Sequence, residues 1–312
     1  MGKYRITQGQ NIYDVALHIY GSVEGILDLL ATNENLSLDS DLRSGDELNY
    51  TEGYLINKEV SAYYDTHGIT PASGEMHVYP KSFTLPKCVE VYTSNTEISV
   101  GFSCSGSGNI EVDWGDNSPG ETITLTDTVQ NITHIFDSSI GEKRKVTLYI
   151  QASFKTLDVS DLRPLAMYIL KPLSVERFKV SDVSLPLDSL PMLRGTFRIT
   201  LDSIKTEKLM PLVELKELME LNLLTFVYRQ PTIDAFLVGL VQKHGNRRNC
   251  RITMKTVPSG NYAEPERDEN NRYILTSGMG AIWVLTNEPA WNEGGVWEFI
   301  IDNTTYKYGT NN

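Results

Sequence analysis

The residues whose types and spacing suit metal binding or acid–base chemistry are three carboxylates in the stretch "EVDWGD". Glu111, Asp113 and Asp116 could hold a calcium ion or act as paired carboxylates. In a β-strand, Glu111 and Asp113 point to the same face, and Asp116 falls in the turn that follows. No further cluster of oxygen ligands follows them in the sequence. We therefore interpret these residues as a solvated strand face.

Histidines and cysteines provide little more for a reactive site. His67 and His77 are spaced too loosely to predict a metal pair. Cys88, Cys104 and Cys250 are far apart and odd in number, so we expect buried free thiols and neither a disulfide framework nor a zinc site. The sequence also lacks GxSxG, HExxH, a P-loop, and GxGxxG after a strand. We therefore expect no enzymatic activity, no cofactor and no metal.

Charge and hydropathy restrict the classes of partner. The chain has 312 residues and a formal net charge of −12, from 28 Lys and Arg against 40 Asp and Glu. Because contacts with phosphate need clustered cations, this balance argues against nucleic acid or an anionic membrane as the partner. No stretch approaches the roughly 20 apolar residues of a transmembrane helix, and the N-terminus lacks the apolar region of a signal peptide.

The first 52 residues predict a small strand–helix–helix–strand domain. Tyr4 and Ile6 share one face of a short strand, and the apolar period then changes to that of an amphipathic helix. The apolar positions of this helix are Ile12, Val15, Ala16, Ile19 and Tyr20. Asn11 is its expected N-cap, and Gly21 is the residue expected to end it. The second helix, capped by Ser22, has an expected apolar face of Val23, Ile26, Leu27 and Leu30.

This order of elements resembles the LysM domain. The resemblance rests on the motifs "QGQNIYDVALHIYG", "LLATNENL" and "LRSGDELNY" within residues 3–50. In LysM domains that bind glycans, an Asp-Thr pair lines the sugar groove at the first turn, where this sequence has Gln10 and Asn11. The resemblance implies a LysM fold with candidate binding residues on its surface. These are Gln8, Gln10, Asn11, Asp14, His18, Asn33 and Asn35.

LysM modules also serve as docking parts near the tube and baseplate of contractile tails and related injection machines.

Residues 53–86 then predict a connector, in which "INKEVSAYYDTHG" forms a short helix before an extended run punctuated by proline and glycine. This opening of the chain, with its LysM-like domain and the "INK" stretch, is similar to the openings of prophage proteins from gut Bacteroidetes.

Residues 87–152 predict an all-β domain. Short runs of alternating apolar and polar residues, separated by turns, are typical of a β-sandwich, and the "GSG" stretch is expected to form a hairpin turn. "VDWGDNS" followed by "ITHIF" resembles the PKD-type immunoglobulin-like domain. The resemblance implies that Trp114 lies in the core, that Gly115 and Asp116 form a turn, and that the ring of His134 braces this turn. It implies a rigid spacer or an adhesion module.

Residues 153–312 predict an α/β domain. Phrases of the "LxxLxL" type recur at irregular intervals and resemble a degenerate leucine-rich repeat, a class with periods of roughly 20–30 residues, with a general α/β packing domain as the alternative. Thr232 is the expected cap of one helix, and "SGMGAIWVLTNE" predicts another. "VWEFIIDNTTYKY" predicts a hairpin that covers the end of the repeat array. An aromatic platform for carbohydrate is the alternative role of this segment.

The sequence as a whole predicts a multi-domain α+β protein. We expect a non-enzymatic structural component of a phage tail, a prophage or a related contractile injection particle. Its LysM end would attach to other tail or baseplate-type proteins, in many copies, while the remaining domains project. The alternative is a protein that binds carbohydrate or peptidoglycan at a cell surface. We expect synthesis in the cytoplasm without a signal peptide and a final location in the virion or injection particle.

Overall fold

The computed structural model describes residues 1–72, 81–116, 118–136 and 144–309. His77 and part of the expected connector lie outside these residues. The protein is mixed α/β, mostly strands, with one large mixed sheet and some helices. Its chain divides into two compact units, Met1–Val78 and Tyr79–Asn312. This division differs from the four segments expected from the sequence.

The first unit contains two strands and three α-helices within its described residues. They are β1 (Gly2–Arg5), α1 (Ile12–Tyr20), α2 (Ile26–Thr32), β2 (Glu47–Tyr50) and α3 (Lys58–His67). The two strands pair antiparallel, with Gly2 opposite Tyr50. Apolar side chains from β1, α1, α2 and β2 form a core of their own. The predicted strand–helix–helix–strand order is therefore confirmed.

Local sequence explains both ends of α1. Asn11 and Asp14 form a capping box, in which each side chain accepts a hydrogen bond from the other residue's backbone N–H. Gly21 ends the helix in the left-handed conformation, with φ of 69°. A side chain at Gly21 would collide with the carbonyl oxygen of Asn57, so glycine is required there for packing as well as for conformation.

The second helix buries a different face from the expected one. Val23–Gly25 forms a turn of 3₁₀-helix before α2 begins, and the change of helix type alters the direction in which Val23 points. Ile26 and Leu29 are buried, whereas Val23 is 49% and Leu27 is 75% exposed. The expectation that Val23 and Leu27 face the core is therefore wrong.

Residues 53–72 fold onto the first unit and do not form a free connector. The backbone N–H groups of Ile56 and Asn57 both donate to the carbonyl of Tyr20. Asn57 caps α3, and the hydroxyl of Ser61 within α3 donates to the carbonyl of His18 at 3.4 Å. The boundary expected at residue 52 is corrected for this reason, because α3 is held by hydrogen bonds to α1.

The second unit has thirteen strands in one hydrogen-bonded sheet, counted over its described residues. They are β3 (Lys87–Thr93), β4 (Ser99–Asp113), β5 (Glu121–Thr124), β6 (Gln130–Ile135), β7 (Arg144–Asp158), β8 (Ala166–Ile169), β9 (Leu173–Ser181), β10 (Leu193–Arg194), β11 (Arg198–Asp202), β12 (Glu220–Leu224), β13 (Arg251–Met254), β14 (Glu298–Ile301) and β15 (Thr304–Lys307). Its α-helices, over the same described residues, are α4 (Gln230–Gln242), α5 (Gly278–Asn287) and α6 (Pro289–Asn292).

The expected boundary at residue 152 falls inside a strand. The first part of β7 pairs with β3, whereas residues 153–158 pair in parallel with β9. The strands of residues 87–152 therefore share one sheet, and one hydrophobic core, with the strands that follow. A separate sandwich domain ending at residue 152 is excluded by this continuity.

The "GSG" stretch does not form a hairpin turn. Gly106 and Gly108 lie in the middle of β4, where they oppose Phe154 and Ala152 of β7 around an irregularity in the register. Both glycines have positive φ, and a side chain at either would collide with a carbonyl oxygen of β7. The glycines therefore permit a β-bulge inside one long strand.

Strands β7, β9, β11, β12, β13 and β14 pair in parallel, in sequence order. Each contributes one buried side chain to a ladder in register, which consists of Leu157, Phe178, Ile199, Leu221, Ile252 and Phe299. The first intervals are about 21 residues, within the roughly 20–30 of strand-repeat arrays. The later intervals are longer because α4 and α5 are inserted.

The carboxyl-terminal hairpin and helices agree with the prediction, except for the N-cap of α4. The predicted hairpin is present, since β14 and β15 pair antiparallel around Asp302 and Asn303. Helix α4 begins at Gln230 with a proline in its first turn, so Thr232 lies inside the helix and is not its N-cap. The fixed φ of proline favours this earlier start.

Candidate functional site

The amide of Gln10, at the expected binding turn of the first unit, is used inside the fold. Gln10 is 4% exposed. Its Oε1 accepts from the backbone N–H of Thr7 at 2.8 Å, and its Nε2 donates to the hydroxyl of Tyr4 at 2.8 Å and to the carbonyl of Pro71 at 3.0 Å. Gln10 thus joins β1, the turn at Thr7 and the segment at Pro71 by hydrogen bonds. These bonds within the unit use both the oxygen and the nitrogen of its amide.

Three other residues of the expected surface have similar structural roles. Asn11 and Asp14 are engaged in the capping box of α1, and Asp14 is buried. The side chain of Asn33 donates to the carbonyl of Asn49 at 2.9 Å and accepts from its N–H at 2.9 Å, which joins the end of α2 to β2. Gln8 and Asn35 are exposed.

His18 completes a chain of hydrogen bonds that starts at Gln10. The hydroxyl of Tyr4 accepts from Gln10 Nε2, so its own proton is available to His18 Nδ1, which lies 2.6 Å away. In a neutral imidazole with its proton on Nε2, Nδ1 can accept this proton. Burial lowers the pKa of His18 from 6.5, and the carboxylate of Asp65 opposes this shift.

The first unit should therefore lose stability on mild acidification. The pKa of His18 is lower in the folded than in the unfolded chain, so the unfolded chain takes up the proton first as the pH falls below about 6.5. The stabilisation is complete above that pH and is lost below it. Hydrogen exchange of amides in α1, followed from pH 7.5 to 5, should show this loss.

His18→Gln should flatten the pH dependence, because glutamine can still accept from Tyr4 but does not titrate. His67→Gln is the matched control, since His67 is exposed on α3. Equal slopes in the wild type and in His18→Gln would contradict the assignment to His18.

An exposed aliphatic face lies on the helical side of the first unit. Val23, Leu27 and Ala31 follow one another at four-residue spacing, and all three are exposed. Residues four apart lie on the same face of a helix, and the α-helical pair Leu27 and Ala31 continues from the 3₁₀ turn that holds Val23. We call these three residues the aliphatic face. The apolar period of the sequence indicated apolar positions on this helix. It could not show which of them face the core and which face the solvent.

The acidic cluster of the second unit is satisfied by internal donors. Glu111 accepts from the backbone N–H groups of Thr84 and Leu85 at 2.8 and 2.9 Å. Asp113 accepts from Lys81 Nζ at 2.7 Å. These bonds fix residues 81–85 against β4. The interpretation as a solvated strand face is therefore wrong for Asp116, which is buried, while Glu111 and Asp113 are partly buried.

Trp114 and His134 form a packed pair beside the turn of Asp116. Their rings are stacked at 4.7 Å, and Trp114 is 1% exposed. Trp114 Nε1 donates to Glu121 at 3.0 Å, and His134 Nε2 lies 2.7 Å from an Asp116 carboxylate oxygen. Gly115 has φ of 77°, and a side chain there would collide with the carbonyl of Lys145. The four residues thus hold a turn against the core.

A groove of about 960 Å³ lies beside the carboxyl ends of β9, β11 and β12. Lys205, Lys208 and Arg229 line it together with Asp188 and Glu207, above the side chain of Phe226. The mixture of both charges, all on exposed side chains, does not define one class of ligand. We assign no chemistry to this groove.

The described residues contain no group of three or more His, Cys, Asp or Glu side chains placed to hold a metal. Cys88, Cys104 and Cys250 are buried free thiols, and burial raises the pKa of Cys104 to about 11. Among the helices described, none is individually long and apolar enough to cross a membrane. The bent pair Ile12–Tyr20 and Val23–Thr32 passes that test only jointly, by length and composition.

The aliphatic face and the internally bonded turn are thus the features that bear on function. Comparison of the chain with protein-family models, curated proteins and solved structures finds no match.

Proposed function

We propose that this chain is a non-enzymatic docking protein, held in a larger protein assembly through the aliphatic face of its first unit. The assembly is of the phage-tail, prophage or contractile-injection type. The observation that carries the proposal is the combination of an exposed Leu27 with a buried Gln10. Aliphatic side chains at one exposed helical face are suited to packing against another protein.

The same observation disfavours glycan binding at the first turn. A sugar groove needs polar groups that can exchange water for sugar hydroxyls. Gln10, Asn11 and Asn33 already donate to, or accept from, atoms of the unit itself. Releasing any of them for a ligand would break hydrogen bonds of the unit, each of which contributes about 0.5–1.5 kcal/mol to its stability.

The finer fold assignments belong to this proposal. Residues 1–52 would be a LysM-type module, extended by α3 to about residue 72. The strands around Trp114 would be derived from a PKD-type domain, and the parallel strands from β9 to β14 from a leucine-rich-repeat array. The parallel ladder with intervals of about 21 residues supports the last of these assignments. In this arrangement the second unit serves as the projecting part.

Leu27→Asp should detach the full-length chain from its particles. Burial of a leucine side chain contributes about 1.5–3 kcal/mol, so its loss should weaken docking by at least roughly tenfold. The introduced carboxylate adds a cost of desolvation. The measurement is the amount of full-length protein that remains with purified particles after sedimentation.

Leu38→Asp is the matched control, because Leu38 is an exposed leucine of the same unit that lies outside the aliphatic face. Particles should retain this variant. Equal retention of both variants would contradict docking through the aliphatic face. Saturable binding of the full-length chain to peptidoglycan at micromolar concentration would instead favour the glycan-binding alternative.

A further inference from the structure

Strand β6 forms an open edge of the large sheet. Within the residues that the structure describes, β6 pairs only with β4. Three of its residues, Asn131, Thr133 and Ile135, are exposed, whereas Ile132 between them is buried. We call the three exposed residues the outer residues of β6. The side of β6 away from β4 is therefore accessible to another strand.

The outer residues direct their backbone hydrogen-bonding groups towards this open side. The N–H of Phe136, directly after β6, donates to the carbonyl of Ile98 at 2.9 Å. In an antiparallel pair, every second residue bonds to the partner strand, and the residues between them point away from it. The register of the pair therefore makes Ile132 and His134 the residues that bond to β4. The N–H and C=O groups of the outer residues point outwards.

β6 lacks the features that keep edge strands from pairing with other chains. Natural edges are protected by charged side chains, by proline or by a covering segment. The outermost strand β15 contains Lys307, and β5 contains Glu121. At the other end of the sheet, the hydroxyl of Ser189 donates to a carbonyl of β8 at 3.0 Å. By contrast, the sequence of β6 contains no Asp, Glu, Lys, Arg or Pro.

The outer residues of β6 are complementary to themselves under a two-fold rotation. When two copies of β6 align antiparallel with Thr133 opposite its own copy, Asn131 lies opposite Ile135 of the second copy. All of these residues have outward backbone groups, so each pair exchanges two hydrogen bonds as in an ordinary antiparallel ladder. A two-fold interface uses the same surface on both chains, and a second copy therefore fits this edge.

We propose that two copies of this chain associate through β6, so that their two sheets join into one continuous sheet. Threonines that face each other across an antiparallel pair stabilise it, and Thr133 occupies that position at the two-fold axis. The contact is short, and interfaces below about 1,200 Å² are usually weak and transient. We therefore expect association at high protein concentration. The aliphatic face of the first unit takes no part in it.

Analytical ultracentrifugation of the full chain tests the association. Between about 5 and 500 μM, the weight-average mass should rise from that of one chain towards that of two. Thr133→Lys should abolish this rise, because it places two like charges opposite each other at the axis. Thr122→Lys is the matched control, since Thr122 is an exposed threonine of β5, the other short strand paired with β4. A monomeric wild type, or equal association of both variants, would overturn the proposal.

Mixing two variants tests the two-fold register. Thr133→Glu alone should be monomeric for the same reason as Thr133→Lys. A mixture of the two should regain the association, because opposite charges then face each other across the axis. A mixture that stays monomeric would overturn the proposal. Leu27→Asp should associate like the wild type, and its failure to do so would place the contact on the first unit and overturn the proposal as well.

Hydrogen exchange measured by mass spectrometry tests the edge residue by residue. The amides of Thr133 and Ile135 should exchange quickly at about 5 μM and become protected at about 500 μM, because they point outwards. The amides of Ile132 and His134 should be protected at both concentrations, since they bond to β4. Exchange at Thr133 that does not depend on protein concentration would show that β6 remains an open edge, and would overturn the proposal.

Discussion

Replacing Trp114 with alanine should destabilise the second unit by about 3–5 kcal/mol, the usual cost of removing a large aromatic side chain from a core. Trp114 is 1% exposed. Its replacement removes the stacking on His134, the packing against Phe102 and the hydrogen bond to Glu121. The cost should affect the whole unit, because Trp114 shares one hydrophobic core with residues as distant as Phe299.

Urea unfolding followed by tryptophan fluorescence measures this effect. All four tryptophans lie in the second unit, so the signal does not report on the first. Trp283→Ala is the matched control, since Trp283 is only partly buried and should cost less. The amide signals of the first unit should remain native in both variants.

Two results would contradict this view of Trp114. One is a Trp114→Ala protein as stable as the Trp283→Ala protein. The other is unfolding confined to the strands around Trp114 while the parallel strands from β9 to β14 stay folded. The second result would mean that the shared sheet does not couple the two parts.

Replacing Phe178 with alanine should also cost about 3–5 kcal/mol. Phe178 is 2% exposed on β9, where its neighbours in the buried ladder are Leu157 on β7 and Ile199 on β11. Each rung of a parallel array contacts only the rungs beside it, so a cavity at Phe178 weakens the contact on both sides. The junction between β7 and β9 should be the place where the second unit opens first.

Hydrogen exchange of the β7 and β9 amides, combined with urea unfolding, tests this prediction. Ser174→Ala is the control on the same strand, because Ser174 is exposed and such changes usually stay within about 0.5 kcal/mol. A Phe178→Ala protein with wild-type exchange at β9 would show that the ladder does not stabilise the junction.

Local sequence determined the elements whose stabilising contacts lie within a few residues. Helix α1 was predicted with both of its ends, because the capping box of Asn11 and the left-handed Gly21 are short-range features. The terminal hairpin was predicted because Asp302 and Asn303 interrupt two alternating runs. In both cases the period and the end signal lie in the same short stretch of chain.

The tertiary structure decided the features that depend on distant partners. The period of the second helix could not tell whether Leu27 faces the core or the solvent, since that depends on which side of the helix packs against the core of the first unit. The "GSG" stretch lies inside a strand because β7 pairs across it.

The candidate site changed for the same reason. Gln10 is a turn residue in the sequence, but the carbonyl of Pro71, more than 60 residues further along the chain, buries its amide. Short-range pattern fixes backbone conformation, whereas burial is fixed only when remote segments meet.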